Sequence, residues 1–166
     1  MALVRIVSVI ALLAGASFVA DQWTKALILD RLGGDPALVP VTPFLNFRLS
    51  FNPGVSFGML QDTLGPYPAA VALGMLGLGV GLIVWATLVR STLERTGLAI
   101  MAGGALGNAL DRWRRGAVTD FIDLHVGGLH WPTFNVADIA VVGGCALLIA
   151  DGVIRPRQYA AETAGR

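Results

Sequence analysis

Four apolar stretches constrain the fold of this chain more than any other feature. Of its 166 residues, 55% are hydrophobic and only 14% are charged, whereas soluble domains carry about 25% charged residues. A helix needs about 20 apolar residues to cross the hydrocarbon core of a bilayer. The stretches run from Ile6 to Ala20, from Thr63 to Val89, from Gly97 to Leu110 and from about Val136 to Ile154. The sequence therefore predicts a polytopic membrane protein.

We expect an all-α membrane protein, a four-transmembrane-helix bundle in one integral membrane domain of residues 1–155. The predicted spans cover about residues 4–21, 66–89, 95–112 and 136–154, with connecting segments 22–65 and 113–135 on one side and a tail, 156–166, on the other. Lys and Arg divide six to six between the two sides, so the positive-inside rule does not orient the chain. Eight of the 11 acidic residues lie on the side of the connecting segments, which places the chemistry there.

Two of the spans leave a second interpretation open. The third apolar stretch has only 14 residues and could be re-entrant, although Glu94 and Arg95 at its start can reach toward the interface. The first could be a cleaved signal peptide ending near residues 14–16, but the three further stretches favour a membrane helix. Glycines at 103 and 107, and at 77 and 81, predict small-residue faces for close helix packing.

Both connecting segments contain a strand pattern. Apolar and polar residues alternate over residues 45–51, which predicts a strand whose apolar face, with Phe47, covers the bundle or lies on the bilayer, and whose opposite face, with Ser50, is solvated. Asn52-Pro53-Gly54 then predicts a turn. In the second segment, Gly127-Gly128 predicts a tight hairpin. We expect one small β-sheet platform beside the mouth of the bundle, able to hold an extended peptide by strand addition.

Two aspartates, Asp120 and Asp138, stand where this apolar chain should meet water. A carboxylate at the edge of hydrocarbon is costly and is a candidate functional group. Two of them on different elements are what an aspartyl acid–base pair requires. Asp123 has the opposite strand parity, so it cannot face the bundle together with Asp120. A plain capping role stays open for Asp138, because Asn135 and Asp138 have N-cap and N3 spacing.

Further polar residues fall at the same level of the bundle. Asp21 and Lys25 share one helix face, either as part of a site or as an interfacial salt bridge that ends the span. Asn108 and Asp111 share a face at the end of the third span. Because Asn108 interrupts an apolar pattern, we expect it to be functional, together with the neighbouring Arg112.

Five motifs follow one another along this four-span frame. They are Asp21-Gln-Trp-Thr-Lys25, Asn52-Pro-Gly-Val-Ser-Phe-Gly58, Gly107-Asn-Ala-Leu-Asp-Arg112, Val118-Thr-Asp-Phe-Ile-Asp123 and Phe134-Asn-Val-Ala-Asp138. Together they resemble the motifs of bacterial lipoprotein signal peptidase (signal peptidase II). The resemblance implies an intramembrane aspartyl endopeptidase that removes the signal peptide from diacylglyceryl-modified prolipoproteins, cutting before the lipidated cysteine.

The resemblance also implies locations and roles. It implies a multi-pass protein of the bacterial inner (cytoplasmic) membrane with both termini cytoplasmic and with the active site and sheet periplasmic. The implied residues are Asp120 and Asp138 as the catalytic pair, Asn52, Asn108, Arg112 and Asn135 as substrate-binding residues, and Asp21, Lys25 and Asp111 as supporting residues. The expected partners are prolipoprotein substrates and membrane lipids. No metal or other cofactor, nucleic acid or obligate protein partner is expected.

Two close carboxylates in a poorly solvated site share one proton and titrate as a pair. Because Asp138 begins a helix, whose dipole favours the charged form, we expect it to be the base and Asp120 the acid. Two other functions stay open. One is a Mg²⁺-dependent lipid headgroup enzyme that uses Asp111, Asp120, Asp123 and Asp138, and the other is a small proton-coupled transporter with relay aspartates.

Overall fold

The computed structural model describes residues 2–34, 38–53 and 66–164, with side chains from residue 3 to residue 154 within these ranges. Its helices are α1 (Ala2–Leu32), α2 (Pro68–Leu88), α3 (Thr92–Arg115) and α4 (Val136–Ala164). Its strands are β1 (Val39–Thr42), β2 (Leu45–Asn52), β3 (Val118–Val126) and β4 (Leu129–His130). The predicted combination of a helical bundle with a small sheet is confirmed in these regions.

Helix α3 lies at the centre of the bundle and packs against α1, α2 and α4. Its glycines allow this, because a Cβ atom on Gly103 would collide with the backbone of Ala14 in α1, and one on Gly104 with the backbone of Ala137 in α4. The small-residue face predicted for the third span is therefore confirmed.

The small-residue face predicted for the second span is wrong. A Cβ atom added at Gly77 or Gly81 would meet nothing within 4 Å, so neither glycine faces another helix closely. Gly79, which lies between them, is buried against Leu106 of α3. The two glycines at i and i+4 share one face of α2, and that face is not the one that packs.

The outside of the bundle is apolar. Large side chains such as Leu12, Val19, Val84 and Ile149 are more than half exposed, while the interior is rich in Gly and Ala. Small residues inside and large apolar residues outside are typical of helices packed in lipid. Among the described residues, three helical segments are long and apolar enough to cross a membrane: Leu3–Leu32, Pro68–Leu88 and Val136–Ile154.

Helix α3 has the length of a span but a more polar sequence. At 1.5 Å per residue its 24 residues cover about 36 Å. Because the other three helices surround it, α3 needs fewer apolar residues than a helix that faces lipid. That α3 crosses the membrane stays a prediction.

Two helices extend beyond the boundaries predicted from sequence. Helix α1 continues past Asp21 to Leu32, so the Asp21–Lys25 pair does not end it. Its last turns place Ile28 and Leu32 in an apolar cluster with Phe121 of β3, which holds the sheet on the helix. The backbone of α4 is helical to Ala164, so most of the predicted tail of residues 156–166 continues that helix.

The strands form one antiparallel sheet in the order β1-β2-β3-β4. The hairpin predicted at Gly127-Gly128 is confirmed, with positive φ angles of 58° and 85° that glycine adopts without strain. The predicted turn at Asn52-Pro53-Gly54 lies only partly within the described residues, because Gly54 and the rest of its motif to Gly58 fall outside them.

The alternation predicted for β2 is interrupted by a bulge. Phe47 pairs with Ile122 of β3, but Ser50 pairs with Asp120, so the register shifts by one residue between them. Residues directly opposite in an antiparallel pair point to the same face. Ser50 therefore shares the face of Asp120, and its predicted place on a separate solvated face is wrong. Phe47 does pack as predicted, since its ring meets Phe121 edge-on at 6.1 Å.

Candidate active site

The site begins where Asn135 caps helix α4. The Asn135 side-chain oxygen accepts a hydrogen bond from the Asp138 backbone N–H at 3.0 Å. In return, Asp138 Oδ2 accepts one from the Asn135 backbone N–H at 3.1 Å. This reciprocal capping box satisfies N–H groups at the helix start and holds the Asp138 carboxylate in one orientation. The predicted capping contact is therefore present, and Asp138 also lines a cavity with other polar side chains, so capping is not its only contact.

Two side-chain amides connect the two carboxylates. Since the oxygen of Asn135 is used in the cap, its Nδ2 points away and donates to Asp120 Oδ1 at 2.6 Å and to Asn108 Oδ1 at 3.2 Å. Asn108 Nδ2 in turn donates to Asp138 Oδ1 at 3.1 Å. Three elements, β3, α3 and the start of α4, therefore meet at one polar cluster.

A cavity of about 320 Å³ opens beside this cluster. Its polar lining consists of Asn52, Asn108, Arg112, Asp120, Thr133 and Asp138. Its apolar lining comes mainly from α2 and α4, with Val71, Met75, Leu78, Val141 and Val142. The cavity thus has a polar end at the two carboxylates and an apolar wall along the bundle.

The environment of Asp120 favours its protonated form. The residue is only 3% exposed, and this burial, together with the negative charge of Asp138, raises the pKa of Asp120 to about 7. Hydrogen bonds from Asn135 and Asn52, and the charge of Lys25, act in the opposite direction. Asp120 therefore keeps its proton to a higher pH than an ordinary aspartate does.

Beneath the cluster lies a buried network of charges. Lys25 Nζ contacts Asp21 Oδ2 at 2.9 Å and Asp111 Oδ2 at 3.1 Å, and the three side chains are at most 1% exposed. Asp21 also accepts the backbone N–H of Ala137, and Asp111 that of Thr119. The two aspartates thereby attach the starts of α4 and β3 to α1 and α3.

Two neighbouring arginines at the end of α3 have different surroundings. Arg112 is 5% exposed, lines the cavity and places Nη1 3.4 Å from the backbone oxygen of Asn108 and 3.1 Å from Met75 Sδ. Arg114 is exposed. Arg112 thus lies at the cavity together with Asn108, as expected from the sequence, whereas Arg114 is not among the cavity-lining residues.

Asp123 lies apart from the polar cluster of Asp120 and Asp138, as its strand parity predicts. It accepts hydrogen bonds from Asn46 of β2 at 3.0 Å and contacts His130 Nδ1 at 2.8 Å. Burial acts to raise the pKa of Asp123, but the hydrogen bonds from Asn46 and His130 lower it below its ordinary value. Among the described residues, no group of three or more His, Cys, Asp or Glu side chains could hold a metal ion.

A larger cavity of about 610 Å³ lies on the other side of α2, between α1 and α3. Its lining, which includes Ala14, Phe18, Leu106 and Trp113, contains no titratable side chain. Volume alone therefore does not locate the chemistry.

One polar residue of the site and the apolar wall of the cavity carry no distinguishing signal in the sequence. Thr133 lies in an unremarkable stretch, and Met75 and its neighbours in α2 lie within a uniformly apolar span. A uniformly apolar helix carries no pattern that distinguishes the face toward the cavity from the face toward lipid.

A family model and several relatives match this chain over most of its length. The family model for signal peptidase (SPase) II matches residues 13–154. The chain belongs to the signal peptidase II family. It is 42% identical over 140 residues to a lipoprotein signal peptidase of Burkholderia mallei (strain SAVP1), covering 82% of each protein. It is also 42% identical over 133 residues to one of Polynucleobacter necessarius (strain STIR1), covering 78% of this chain and 79% of the relative.

Signal peptidase II membership, predicted from the five motifs, is confirmed, and solved structures agree with the fold. A bacterial membrane enzyme solved by the in meso method at 2.3 Å resolution superposes with a TM-score of 0.73 at 27% identity, covering 88% of both chains. A second, at 1.9 Å resolution, gives a TM-score of 0.72 at 27% identity and covers 89% of this chain and 94% of the other.

Proposed function

We propose that this signal peptidase II family member is an intramembrane aspartyl endopeptidase. It removes the signal peptide from diacylglyceryl-modified prolipoproteins by cutting before the lipidated cysteine. The observation that carries this proposal is the meeting of Asp120 and Asp138 at one cavity, where Asn108 and Asn135 connect them. The relatives' name, lipoprotein signal peptidase, supports the substrate class.

The hydrogen bonds support different roles for the two carboxylates. Each oxygen of Asp138 accepts a hydrogen bond from an N–H group, which stabilises the ionised carboxylate, so we assign Asp138 as the base. Asp120, with its raised pKa, is the acid. Asp138 takes a proton from a water molecule that attacks the scissile carbonyl, while Asp120 donates a hydrogen bond to the carbonyl oxygen. Collapse of the tetrahedral intermediate breaks the C–N bond, and Asp120 gives its proton to the leaving amine. The proton that Asp138 took from the water then returns to Asp120, which restores the starting state of the pair.

The remaining polar groups are suited to binding the substrate. Asn52 and Arg112 line the cavity and carry N–H groups that can meet substrate carbonyl or ester oxygens. The apolar wall along α2 and α4 suits the signal peptide and lipid chains. Strand β2 lies beside Asp120, so an extended peptide could run along the sheet toward the catalytic pair.

The proposal places the enzyme in the bacterial inner membrane with four spans, α3 included. Both termini are cytoplasmic, and the sheet and the catalytic pair face the periplasm. The end of the bundle that carries the sheet also carries the catalytic pair, which supports a site at one membrane surface.

The placement of the aspartates favours this function over the two alternatives. A Mg²⁺ site would need Asp111 and Asp123 beside the catalytic pair, but Asp111 is bound by Lys25 and Arg115, and Asp123 by Asn46. A transporter relay would need acidic groups through the depth of the bundle. The four aspartates considered for the Mg²⁺ site all lie at the end of the bundle that carries the sheet.

The test is cleavage of a synthetic diacylglyceryl-modified prolipopeptide by the purified protein in detergent or nanodiscs, followed by mass spectrometry. We expect one cut before the lipidated cysteine, little cutting of the unlipidated peptide, and full activity in EDTA. An inactive wild-type protein would overturn the proposal. Loss of activity in EDTA that Mg²⁺ restores would favour the lipid headgroup enzyme.

A further inference from the structure

Lys25 is a buried cation that contacts neither catalytic carboxylate directly. Its ammonium group has three acceptors within hydrogen-bond distance: Asp21 Oδ2 at 2.9 Å, Asp111 Oδ2 at 3.1 Å and Asn108 Oδ1 at 2.8 Å. An ammonium group carries three donors and no acceptor, so these contacts use its full capacity. The first two attach Lys25 to the fold, and the third points into the site.

The contact with Lys25 determines which way the Asn108 amide faces. A side-chain amide has an oxygen that accepts and a nitrogen that donates. Lys25 Nζ and Asn135 Nδ2 can only donate, and both approach the same end of Asn108, which must therefore be the oxygen. The Nδ2 of Asn108 is left to donate to Asp138 Oδ1.

We propose that Lys25 is a positioning residue for the catalytic base. Through the amide of Asn108 it keeps a donor directed at Asp138 and so favours the ionised carboxylate of that residue. This inference rests on the proposed acid–base roles of Asp120 and Asp138. It differs from a purely structural salt bridge in that the loss of Lys25 changes the ionisation of the site.

Charged groups from each element around Lys25 contribute to the electrostatic environment of the two carboxylates. Asp21 on α1 and Asp111 on α3 contact it directly, and Asp111 is also paired with Arg115. Asp138 on α4 lies one amide away, through Asn108, and Asp120 on β3 lies two amides away, through Asn108 and Asn135. Arg112 on α3 also interacts electrostatically with Asp111, Asp120 and Asp138. Removal of Lys25 takes away a buried positive charge from this set and frees Asn108 to rotate.

The measurement is the pH profile of kcat for cleavage of a synthetic diacylglyceryl-modified prolipopeptide, with thermal unfolding recorded in parallel. Lys25→Met should shift the acidic limb upward by roughly one pH unit, because the base then ionises less readily. In the Asn108→Ala background, Lys25→Met should cause a clearly smaller shift than in the wild type, because only the direct effect of the Lys25 charge then remains. If Lys25→Met does not fold, the charge-balanced double variant Lys25→Met/Asp21→Asn is measured in its place.

Ser17→Ala is the matched control. It removes another α1–α3 hydrogen bond, from Ser17 Oγ to the Ile100 carbonyl at 3.1 Å, without touching the site. It should lower stability and leave the pH profile unchanged. An unchanged profile in the folded Lys25 variant, or an equally large shift in the Asn108→Ala background, would overturn the inference and leave the proposed function intact. Failure of the wild-type protein to cleave the peptide would overturn both.

Discussion

At the scale of single residues, Asn135 performs two tasks with one side chain. Its oxygen caps α4, and this leaves its nitrogen to bind Asp120 and Asn108. A capping motif that looks purely local in the sequence therefore sets the relative position of two carboxylates on different elements. The oxygen of each side-chain amide, in Asn108 and Asn135, already accepts a hydrogen bond, so its nitrogen is the end that donates to a carboxylate.

Replacing either carboxylate of the proposed catalytic pair should abolish cleavage. Asp120→Asn and Asp138→Asn keep the shape of the side chain but remove the acid or the base, so each should lower kcat by more than about a thousandfold. Asp123→Asn on the same strand is the control and should keep most of the activity, because Asp123 contacts Asn46 and His130 instead of the cavity. Substantial turnover by either catalytic variant would disprove the pair.

Activity should fall as the pH rises through about 7, where Asp120 loses its proton. The same raised pKa affects stability. Burying the ionised form is unfavourable, so the stability present at low pH is lost as the pH rises from about 4, the ordinary range of aspartate, toward 7. Asp120→Asn should therefore unfold at a higher temperature than the wild type at pH 8, and this difference should disappear near pH 4. Thermal unfolding of both proteins between pH 4 and pH 8 tests the expected direction of this difference.

Arg112 should matter much more than Arg114. Loss of a desolvated, charged hydrogen-bond donor costs roughly 1.5–3 kcal/mol, about 10- to 150-fold in kcat/KM, so Arg112→Ala should be impaired to this extent. Arg114→Ala should be nearly silent, because its side chain is exposed. Equal effects in the cleavage assay would indicate that the segment acts through general positive charge.

At the scale of elements, the bulge in β2 places its side chains differently from a strictly alternating strand. The bulge after Phe47 brings Ser50 opposite Asp120, while Phe47 itself packs over the end of α1. Bulges near a site redirect side chains in this way. The strand thus has one residue at the catalytic aspartate and another in the apolar contact that seats the sheet.

A charge on the packed face of β2 should be harmful. Phe47→Asp would place a carboxylate in the cluster with Ile28, Leu32 and Phe121, and we expect a loss of about 3 kcal/mol or more of stability together with reduced cleavage. Arg48→Asp places the same charge at the adjacent exposed position and should be tolerated. Expression yield, thermal unfolding and cleavage rate compare the two variants. Equal tolerance would mean that the sheet does not depend on this contact.

At the scale of the whole molecule, α3 organises the structure. It contacts the other three helices and carries Asn108, Asp111 and Arg112 at the end where the sheet begins. Its glycines let α1 and α4 approach closely, which brings Lys25 near Asp111 and Ala137 near Asp21. The geometry of the site therefore depends on backbone contacts deep in the bundle.

Glycine substitutions should separate packed from unpacked positions. Gly103→Ala would force α1 away at Ala14 and should cost roughly 1–3 kcal/mol of stability. Gly81→Ala adds a methyl group where nothing lies within 4 Å and should be neutral or slightly stabilising. Unfolding midpoints in the same detergent test this difference. A stable Gly103→Ala protein would contradict the close approach of α1 and α3.

The sequence by itself determined the features that depend on local pattern. Apolar stretches predicted helices, alternation predicted β2 and β3, and Gly127-Gly128 predicted the hairpin, because each pattern acts on neighbouring residues through backbone geometry. The N-cap spacing of Asn135 and Asp138 predicted their mutual hydrogen bonds for the same reason. The order of the five motifs was also enough to identify the family.

Only the tertiary structure decided how those elements meet. Asp21 binds the N–H of a residue 116 positions away, and Lys25 binds Asn108 across 83 positions, and no local pattern encodes either contact. The tertiary structure also decided that Gly79 packs while Gly77 and Gly81 do not, because a uniformly apolar helix has no preferred face until its neighbours are in place. The bulge in β2 depends in the same way on its pairing with β3. The site is completed by long-range packing, which cannot be predicted from hydrophobic periodicity or from the spacing of motifs in the sequence.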